Sequence, residues 1–248
     1  MIKLKSVGLG NSLISFLIQW KSLTDFEANN SYVSVNDTIV DKMLKAWPAC
    51  EEAIIKCNKE KTANVCLRAV DVCAGSNTSY ASYFLDAGLS EYDIRAPAES
   101  MLSTLSPDYV NYITKPDILQ AIGANSNIQY LVCSSRVGLN LYPEMPLDFS
   151  SELEFLLKNG IRTLIYHGDA DWIWALETAL NLNWKYKSDF SSAAMKEWFI
   201  DGTSVGQVKC ADILSFVRIY NAGHEAPSDQ PRPTLDMFTK WLSNIKLE

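Results

Sequence analysis

Four cysteines restrict the fold of this chain more than any other feature, because their spacing suits two helices joined side by side. They lie at Cys50, Cys57, Cys66 and Cys73, so the gaps between them are 7, 9 and 7 residues. Seven residues is close to two helical turns, which places each seven-residue pair on one face of its own helix. If residues 58–65 form the bend, the two faces meet and predict nested disulfides, Cys57–Cys66 inside and Cys50–Cys73 outside. A zinc site fits less well, because zinc ligands usually lie about two to four residues apart.

The same cysteines indicate an oxidising compartment, because disulfides persist in secreted and lumenal proteins rather than in the cytosol. Three N-x-Ser/Thr sequons agree with this interpretation, at Asn29, Asn36 and Asn77. We therefore expect passage through the secretory pathway, to a vacuole or lysosome or to the exterior, with glycosylation of these asparagines. Cys133 and Cys210 remain, and nothing in their spacing pairs them with each other.

The charge pattern argues against nucleic acid and anionic membranes as partners. The 248 residues carry a net charge of −7, and no Lys/Arg run exceeds two residues. No apolar stretch is long enough to span a bilayer, so no membrane span is expected. The basic start at residues 1–5 and the apolar stretch from Val7 to Trp20 resemble a signal peptide, but glycines and polar residues interrupt that stretch. We interpret Leu4 to Leu9 instead as a buried strand that ends in a Gly10-Asn11 turn.

Strand and helix patterns alternate in residues 111–248, which predicts an α/β fold with a parallel sheet covered by helices. Residues 1–20 are expected to add one strand and a loop to this core, and residues 21–110 a helical insertion that holds the cysteines. Pro48 interrupts the apolar face of residues 36–57, so this segment predicts two helices or one kinked helix. The other clear patterns predict strands at 162–166 and 213–220 and helices at 115–121, 150–158, 174–184 and 234–245.

Two segments present titratable side chains at strand ends, which is where ligands bind in open α/β folds. Residues 166–173 contain Asp171, and residues 220–227 contain His224. A general base must be exposed and oriented by a carboxylate, so this pair is expected to supply the acid and base of a Ser-Asp-His hydrolase. The order Asp before His is the one that α/β-hydrolases use.

Neighbouring polar residues could also serve as the acid or base, but each of them is expected to have a structural role instead. Only two histidines are present, and His167, beside Gly168, is expected to pack or cap its strand. Asp169 is expected to fix its turn by bonding backbone N–H groups, and Asp229 to cap the final helix.

No credible nucleophile precedes Asp171, where the chain order would place it. The segment Gly202-Thr203-Ser204-Val205-Gly206 fits the G-x-S-x-G pattern letter for letter. A nucleophile elbow needs a buried strand before it and a helix after it, whereas this segment comes before a strand pattern and after the Asp. We therefore interpret it as a hairpin turn.

Four features of the chain match one known pattern and do so in the same order. They are the strand and turn at 2–11, the cysteine ladder, Tyr92-Asp93-Ile94-Arg95, and the pair Gly168-Asp169-Ala170-Asp171 and Gly223-His224-x-x-Pro227 with Asp229-Gln230-Pro231. In these features the chain resembles the serine carboxypeptidases of the α/β-hydrolase fold, over nearly its whole length. The resemblance implies the C-terminal part of an α/β-hydrolase sheet with a helical, disulfide-laddered insertion subdomain.

The resemblance also implies an activity and the residues that carry it. The whole enzyme would be a serine-type carboxypeptidase that releases C-terminal amino acids from peptides or proteins through a serine acyl-enzyme, without a metal or cofactor. Asp171 and His224 are implied as its acid and base. The residues implied to line the substrate subsites are Tyr92, Ile173, Trp174 and Glu225.

By the same resemblance, the serine elbow, the oxyanion-hole glycines and the groups that bind the substrate carboxylate lie upstream of Met1. The chain is therefore expected to be truncated and inactive alone, with the missing N-terminal half of the fold as its partner. In several members of the family the equivalent of Cys133 pairs with an N-terminal cysteine. Ser12 and Glu225 depart from the family pattern, which leaves the subsite preference open. Two alternatives remain: acyl transfer to an alcohol, and a non-catalytic secreted homologue that binds peptides or proteins.

Overall fold

The computed structural model describes residues 3–24, 32, 36–75, 78–98, 107–125, 127, 130–131, 134–172 and 176–247. The expectations for Asn29, Asn77, Cys133, Ile173 and Trp174 lie outside the described residues. None of the described helices combines the length and apolarity that crossing a bilayer requires.

The secondary structure alternates as expected in the second half of the chain. The described strands are β1 Ser6–Gly10, β2 Arg162–Gly168, β3 Lys196–Ile200, β4 Thr203–Ala211 and β5 Leu214–Ile219. The helices before β2 are α1 Phe16–Lys21, α2 Asp37–Glu60, α3 Ala63–Val70, α4 Ser82–Leu85, α5 Pro107–Ile113, α6 Pro116–Ala121, α7 Ser135–Leu141 and α8 Ser150–Lys158, with a π-helical turn at Asp71–Gly75 and a 3-10 turn at Tyr142–Glu144. The helices after β2 are α9 Leu176–Asn181, α10 Lys187–Ser192, α11 Ala226–Asp229 and α12 Pro231–Leu242.

One mixed sheet forms the centre of the fold, in the strand order β1-β2-β5-β4-β3. β1, β2 and β5 run parallel, with Gly10 opposite Tyr166 and Gly168 opposite Ile219, and β4 and β3 continue the sheet antiparallel. The carboxyl ends of the three parallel strands therefore meet at one edge. In the part of the chain that the structure describes, β1 pairs with β2 and has no strand on its other side. The expected α/β class is confirmed.

Helices cover both faces of the sheet because successive strand residues point to opposite faces. Ile165 packs on one face with Phe216 and with apolar residues of α8, α9 and α10. Leu164 packs on the other face with Val217 and with Trp241 of α12. Met237 of α12 is also buried on this face, whereas Leu235, Phe238 and Leu242 are exposed.

The segment Gly202–Gly206 forms a hairpin rather than a nucleophile elbow, as expected. Asp201 and Gly202 join β3 to β4, and both have positive φ, 50° and 80°, which is the geometry of a two-residue turn suited to the strand twist. Ser204 lies in β4, where its hydroxyl donates to the Glu197 carboxylate across the hairpin.

One long helix rather than two covers the segment of the helical insertion that contains Pro48. α2 runs for 24 residues with Pro48 inside it, and its buried face (Met43, Cys50, Ile54 and Cys57) keeps the helical period through the proline. Asn36 caps its start by accepting a hydrogen bond from the Thr38 backbone N–H at 2.8 Å. The bend to α3 is shorter than the expected 58–65, because α2 continues to Glu60 and only two residues, Lys61 and Thr62, separate the helices.

Both disulfides of the ladder are present, and each links α2 to an element beyond this bend. Cys57–Cys66 joins α2 to α3 with a Cα–Cα distance of 4.7 Å, and Cys50–Cys73 joins α2 to the π-helical turn at 4.9 Å. The insertion also packs against the sheet edge, since the Trp172 ring stacks on Phe84 with centroids 4.0 Å apart. The core of the insertion therefore continues into the turn that follows β2.

Candidate active site

The turns after β2 and β5 lie side by side at the carboxyl edge of the sheet. Asp169 donates its backbone N–H to the Ile219 carbonyl at 2.9 Å, and Ala170 donates to the Ala222 carbonyl at 2.8 Å. Gly168 permits this approach, because a Cβ there would clash with the carbonyl oxygens of Ala222 and Gly223. The parallel pairing of β2 with β5 thus brings together two turns that are about 50 residues apart in the chain.

Asp171 and His224 meet between these turns. Nδ1 of His224 lies 3.1 Å from Oδ2 of Asp171, which is hydrogen-bond distance. The Asp171 side chain is fully buried, whereas 27% of the His224 side chain is exposed. The carboxylate therefore orients the imidazole from below while the ring keeps access to solvent, as a general base requires.

Asn11, the residue after β1, makes a third contribution that the sequence analysis did not assign. Its side-chain Nδ2 donates to Oδ2 of Asp171 at 2.5 Å and to the Gly223 carbonyl at 3.3 Å. Asn11 has a φ of 45°, a conformation that asparagine tolerates better than most residues. The Gly10-Asn11 turn signal at a strand end was the available clue.

His167 reaches the same carboxylate from within the strand. Its Nδ1 lies 3.6 Å from Oδ2 of Asp171, and both side chains are fully buried. The expectation that His167 packs in its strand agrees with this burial, but the contact with Asp171 was missed. The i,i+4 spacing of the two residues across the turn was the available signal.

Tyr92 supports His224 from the insertion side. The His224 backbone N–H donates to the Tyr92 carbonyl at 2.7 Å, and the two rings meet edge to face with centroids 5.2 Å apart. Gly223 allows this contact, because a Cβ there would lie 2.7 Å from the Tyr92 carbonyl oxygen. The resemblance had placed Tyr92 in a substrate subsite, and Tyr92 lies beside the candidate base.

An ionic clamp holds the turn that carries His224. Arg95 forms two hydrogen bonds to the Asp93 carboxylate, at 2.8 and 2.6 Å, and lies 3.5 Å from Oδ2 of Asp229. Asp229 Oδ2 in turn accepts the Gly223 backbone N–H at 2.7 Å. The expectation that Asp229 caps the final helix is wrong, because α12 begins at Pro231 without a side-chain cap and Asp229 faces the His224 turn.

Asp169 fixes both turns, which is broader than its expected role. Its Oδ1 accepts the Ala222 backbone N–H at 3.3 Å, and its Oδ2 accepts the Tyr32 hydroxyl at 2.6 Å. Burial raises the pKa of Asp169, against hydrogen bonds and positive charge that favour the anion. Burial and the hydrogen bond to Asp169 raise the pKa of Tyr32 to about 12.

The charges at the site favour an ionised Asp171 and a protonated His224. Burial alone would raise the pKa of Asp171, but the donors and positive charge that His167 and His224 present hold it below its usual value. Burial alone would lower the pKa of His224, but the hydrogen bond to Asp171 and the negative charges of Asp171, Glu225 and Glu91 raise it. The imidazole is therefore a stronger base than a free histidine.

Two more carboxylates border the imidazole. Glu225, the next residue along the chain, is half-buried. Burial raises the pKa of Tyr166, and the charge of Glu225 raises it further. Glu91 precedes Tyr92, and burial raises its pKa, while a hydrogen bond from Tyr92 and the His224 charge oppose that shift. Of the four residues that the resemblance placed in subsites, Tyr92 and Glu225 thus lie beside His224.

The arrangement can take up one proton at the exposed side of His224 and return it. Among the described residues, the imidazole of His224 makes one side-chain hydrogen bond, the one to Asp171. The described part of the chain contains no group of three or more His, Cys, Asp or Glu side chains arranged to hold a metal ion. The chemistry that these residues support is general acid and base catalysis beside a nucleophile.

Comparisons with known proteins point to one family. The family model described as serine carboxypeptidase matches residues 1–244. Carboxypeptidase S1 of Penicillium janthinellum is 30% identical over 243 residues, which are 96% of this chain and 56% of that protein. Serine carboxypeptidase 3 of Triticum aestivum is 30% identical over 249 residues, which are 97% of this chain and 48% of that protein.

A solved structure has the same fold. It is Kex1(delta)p, a prohormone-processing carboxypeptidase from Saccharomyces cerevisiae, with a TM-score of 0.68 and 20% sequence identity. The superposition covers 95% of this chain and 54% of that one. The chain thus spans about half the length of the curated relatives and the structure that it matches.

Proposed function

We propose a function from one premise, which is that the chain belongs to the serine carboxypeptidase family. The function is to supply the acid and base half of a serine-type carboxypeptidase, an enzyme that removes C-terminal amino acids from peptides or proteins. The observation that carries the proposal is the buried Asp171 carboxylate 3.1 Å from Nδ1 of a partly exposed His224.

In the proposed mechanism, His224 is the general base and Asp171 orients it. With Nδ1–H directed at Asp171, the imidazole presents Nε2 to a serine hydroxyl and removes its proton as the serine attacks the C-terminal peptide bond. The protonated His224 then donates that proton to the departing amino acid, which leaves an acyl-enzyme. Water attacks the acyl-enzyme by the same proton route and releases the shortened peptide.

The serine and the oxyanion hole are proposed to come from the half of the relatives that this chain does not span. β1 supports this proposal, since its outer edge is open in the described structure and parallel strands of one sheet end at the same edge. A strand added beside β1 would end next to Asn11, which donates to Asp171 at 2.5 Å. The partner of the chain is therefore the N-terminal half of the same fold.

Substrate contacts and compartment belong to the same proposal. Tyr92 and Glu225, beside His224, together with Ile173 and Trp174 would line the subsites for the cleaved peptide. The two disulfides support a place in the secretory pathway, in a vacuole or lysosome or outside the cell. We propose Asn29, Asn36 and Asn77 as the glycosylated residues.

A fusion tests the proposal. The upstream half of the Penicillium carboxypeptidase S1, joined to residues 1–248, is expected to release the C-terminal residue of a blocked dipeptide, while the 248-residue chain alone is not. His224→Ala in the fusion should lower kcat/KM by roughly 10⁴- to 10⁶-fold, as loss of a triad base does. Ser204→Ala is the matched control and should leave the rate unchanged.

Two results would contradict the proposal. One is hydrolysis by the isolated chain at an ordinary enzyme rate that survives His224→Ala. The other is an active fusion whose rate is insensitive to His224→Ala. Circular dichroism of each variant shows whether a loss of rate reflects loss of the fold.

A further inference from the structure

A second imidazole contacts the candidate acid, and the proposed mechanism does not use it. In the part of the chain that the structure describes, these nitrogens lie near Oδ2 of Asp171: Asn11 Nδ2 at 2.5 Å, His224 Nδ1 at 3.1 Å and His167 Nδ1 at 3.6 Å. The first two are hydrogen bonds, and the third is a longer polar contact inside the core. One carboxylate oxygen is thus shared between the exposed histidine and a fully buried one.

The fold holds His167 in this position. It is the sixth residue of β2 and pairs with Arg218 in the parallel register with β5. Because alternate strand residues share a face, His167 lies on the same face as Ile165. Its ring is nearly parallel to that of Phe216, with an interplanar angle of 17° and a centroid distance of 6.4 Å. The imidazole therefore has little freedom to turn away from Asp171.

Sharing Oδ2 weakens the attraction of the Asp171 carboxylate for the protonated His224 imidazole. Each donor on an anionic oxygen stabilises the negative charge and so reduces its attraction for any further donor or cation. Burial lowers the pKa of His224, and the negatively charged groups that raise it are Asp171, Glu225 and Glu91. Those groups favour the imidazolium, and a donor at His167 opposes them.

We propose that His167 is a positioning residue that shares the Asp171 carboxylate with His224 and thereby limits the basicity of His224. This role adds to the proposed function, and its importance for catalysis rests on that function. A base that binds its proton too tightly would be charged, and inactive, over more of the pH range. By drawing on the same oxygen, His167 keeps His224 available in its neutral form at lower pH.

The chain contains two histidines, which makes the test direct. NMR of the 248-residue chain with ¹³C,¹⁵N-labelled histidine follows both imidazoles separately through a pH titration. His167→Leu, which removes the donor and keeps an apolar side chain of similar size, should raise the pKa of His224 by roughly half a unit or more. His167→Asn, whose amide nitrogen occupies the position of Nδ1, should return the pKa of His224 toward the wild-type value.

A role in packing alone predicts a different result. It would leave the pKa of His224 unchanged in both variants, or move it equally in both, and either outcome overturns the proposal. Asp171→Asn is the positive control and should lower the pKa of His224, because the carboxylate is the main source of its elevation.

A second measurement needs no substitution and remains available if His167→Leu fails to fold. The ¹⁵N shifts of the wild-type chain identify the tautomer of His167, and the proposal requires a proton on Nδ1. A His167 protonated on Nε2 alone would overturn it. Neither measurement depends on peptidase activity, so failure of the proposed function and failure of this inference are distinguishable.

Discussion

The site depends on the second neighbours of the imidazole as much as on the imidazole itself. Asp171 is anchored by Asn11 and His167, and the backbone of His224 is anchored to Tyr92. These contacts fix the ring while one side of it stays exposed. At the scale of single residues, the properties of His224 therefore follow from charges and donors within a few ångströms of it.

Glu225 gives a prediction about which residue the complete enzyme releases. A carboxylate beside His224 attracts a cation at about 4 Å by roughly 1–4 kcal/mol, and a half-buried group belongs at the lower end. Glu225→Met in the active fusion should therefore lower the Lys/Leu ratio of kcat/KM by about 5- to 10-fold. Release of Lys and of Leu from otherwise identical peptides, compared between pH 4 and 7, measures the ratio.

The same charge affects the pH dependence of that enzyme. Glu225 contributes to the raised pKa of His224, so removing its charge should lower that pKa and move the acid limb of the activity profile to lower pH. Glu225→Gln is the matched control, because it removes the charge and keeps the size. An unchanged Lys/Leu ratio in both variants would show that Glu225 does not face the substrate.

At the scale of elements, the site is a contact between two turns and a short segment of the insertion. The turn after β2 and the turn after β5 touch through Gly168 and Gly223, and Arg95 holds the second turn through Asp229. Glycine is required where backbones approach this closely, since any side chain would separate the turns. The distance between Asp171 and His224 is thus set by backbone packing.

Gly168→Ala tests that dependence. The added Cβ would clash with the carbonyl oxygens of Ala222 and Gly223, so the turns must separate and the Asp171–His224 contact must lengthen. We expect destabilisation of about 2–4 kcal/mol in urea unfolding and a lower pKa of His224 by NMR. Gly8→Ala in β1 is the control, because its Cβ would meet Trp241 at an ordinary 3.9 Å. Equal effects of the two substitutions would argue against the backbone contact.

The sequence predicted elements where the signal is local. The apolar run of β2, the Asp201-Gly202 hairpin and the cysteine spacing each depend on residues that are close in the chain. The contacts of Asn11 with Asp171 and of Arg95 with Asp229 span 160 and 134 positions, and no short pattern reports them. Pro48 left two helices or one kinked helix open from the sequence, and the single α2 shows that tertiary packing offsets the local cost of a proline.

At the scale of the whole molecule, buried ionisable groups should set a pH optimum of stability. His224 has a raised pKa, so its contribution is complete below its usual pKa of 6.5 and is lost as pH rises through the folded value. Asp171 has a lowered pKa, so its contribution is present above 3.8 and is lost as pH falls through the folded value. Asp169 and Glu91 have raised pKa values, so the stability that each neutral carboxyl contributes to the fold is lost as pH rises through its folded pKa.

We therefore expect the chain to be most stable near pH 4, where Asp171 is ionised while Asp169 and Glu91 are still neutral, with a decline toward pH 8. Thermal unfolding followed by circular dichroism at a series of pH values measures the profile. Asp169→Asn keeps an acceptor for the Tyr32 hydroxyl and should flatten the decline between pH 4 and 7. A Tm that rises steadily from pH 5 to 8 in the wild-type chain would contradict the assignment of these shifts.

The open edge of β1 has a consequence for how the chain behaves in a cell. A strand with one unpaired side presents a row of N–H and C=O groups, which is a template for strands of other polypeptides. For residues 1–248 expressed alone, the uncovered side of β1 in the described sheet is therefore expected to favour aggregation through intermolecular sheets. The soluble yield of that polypeptide should rise when a strand that pairs with β1 is supplied, even where the intrinsic stability of the fold is unchanged.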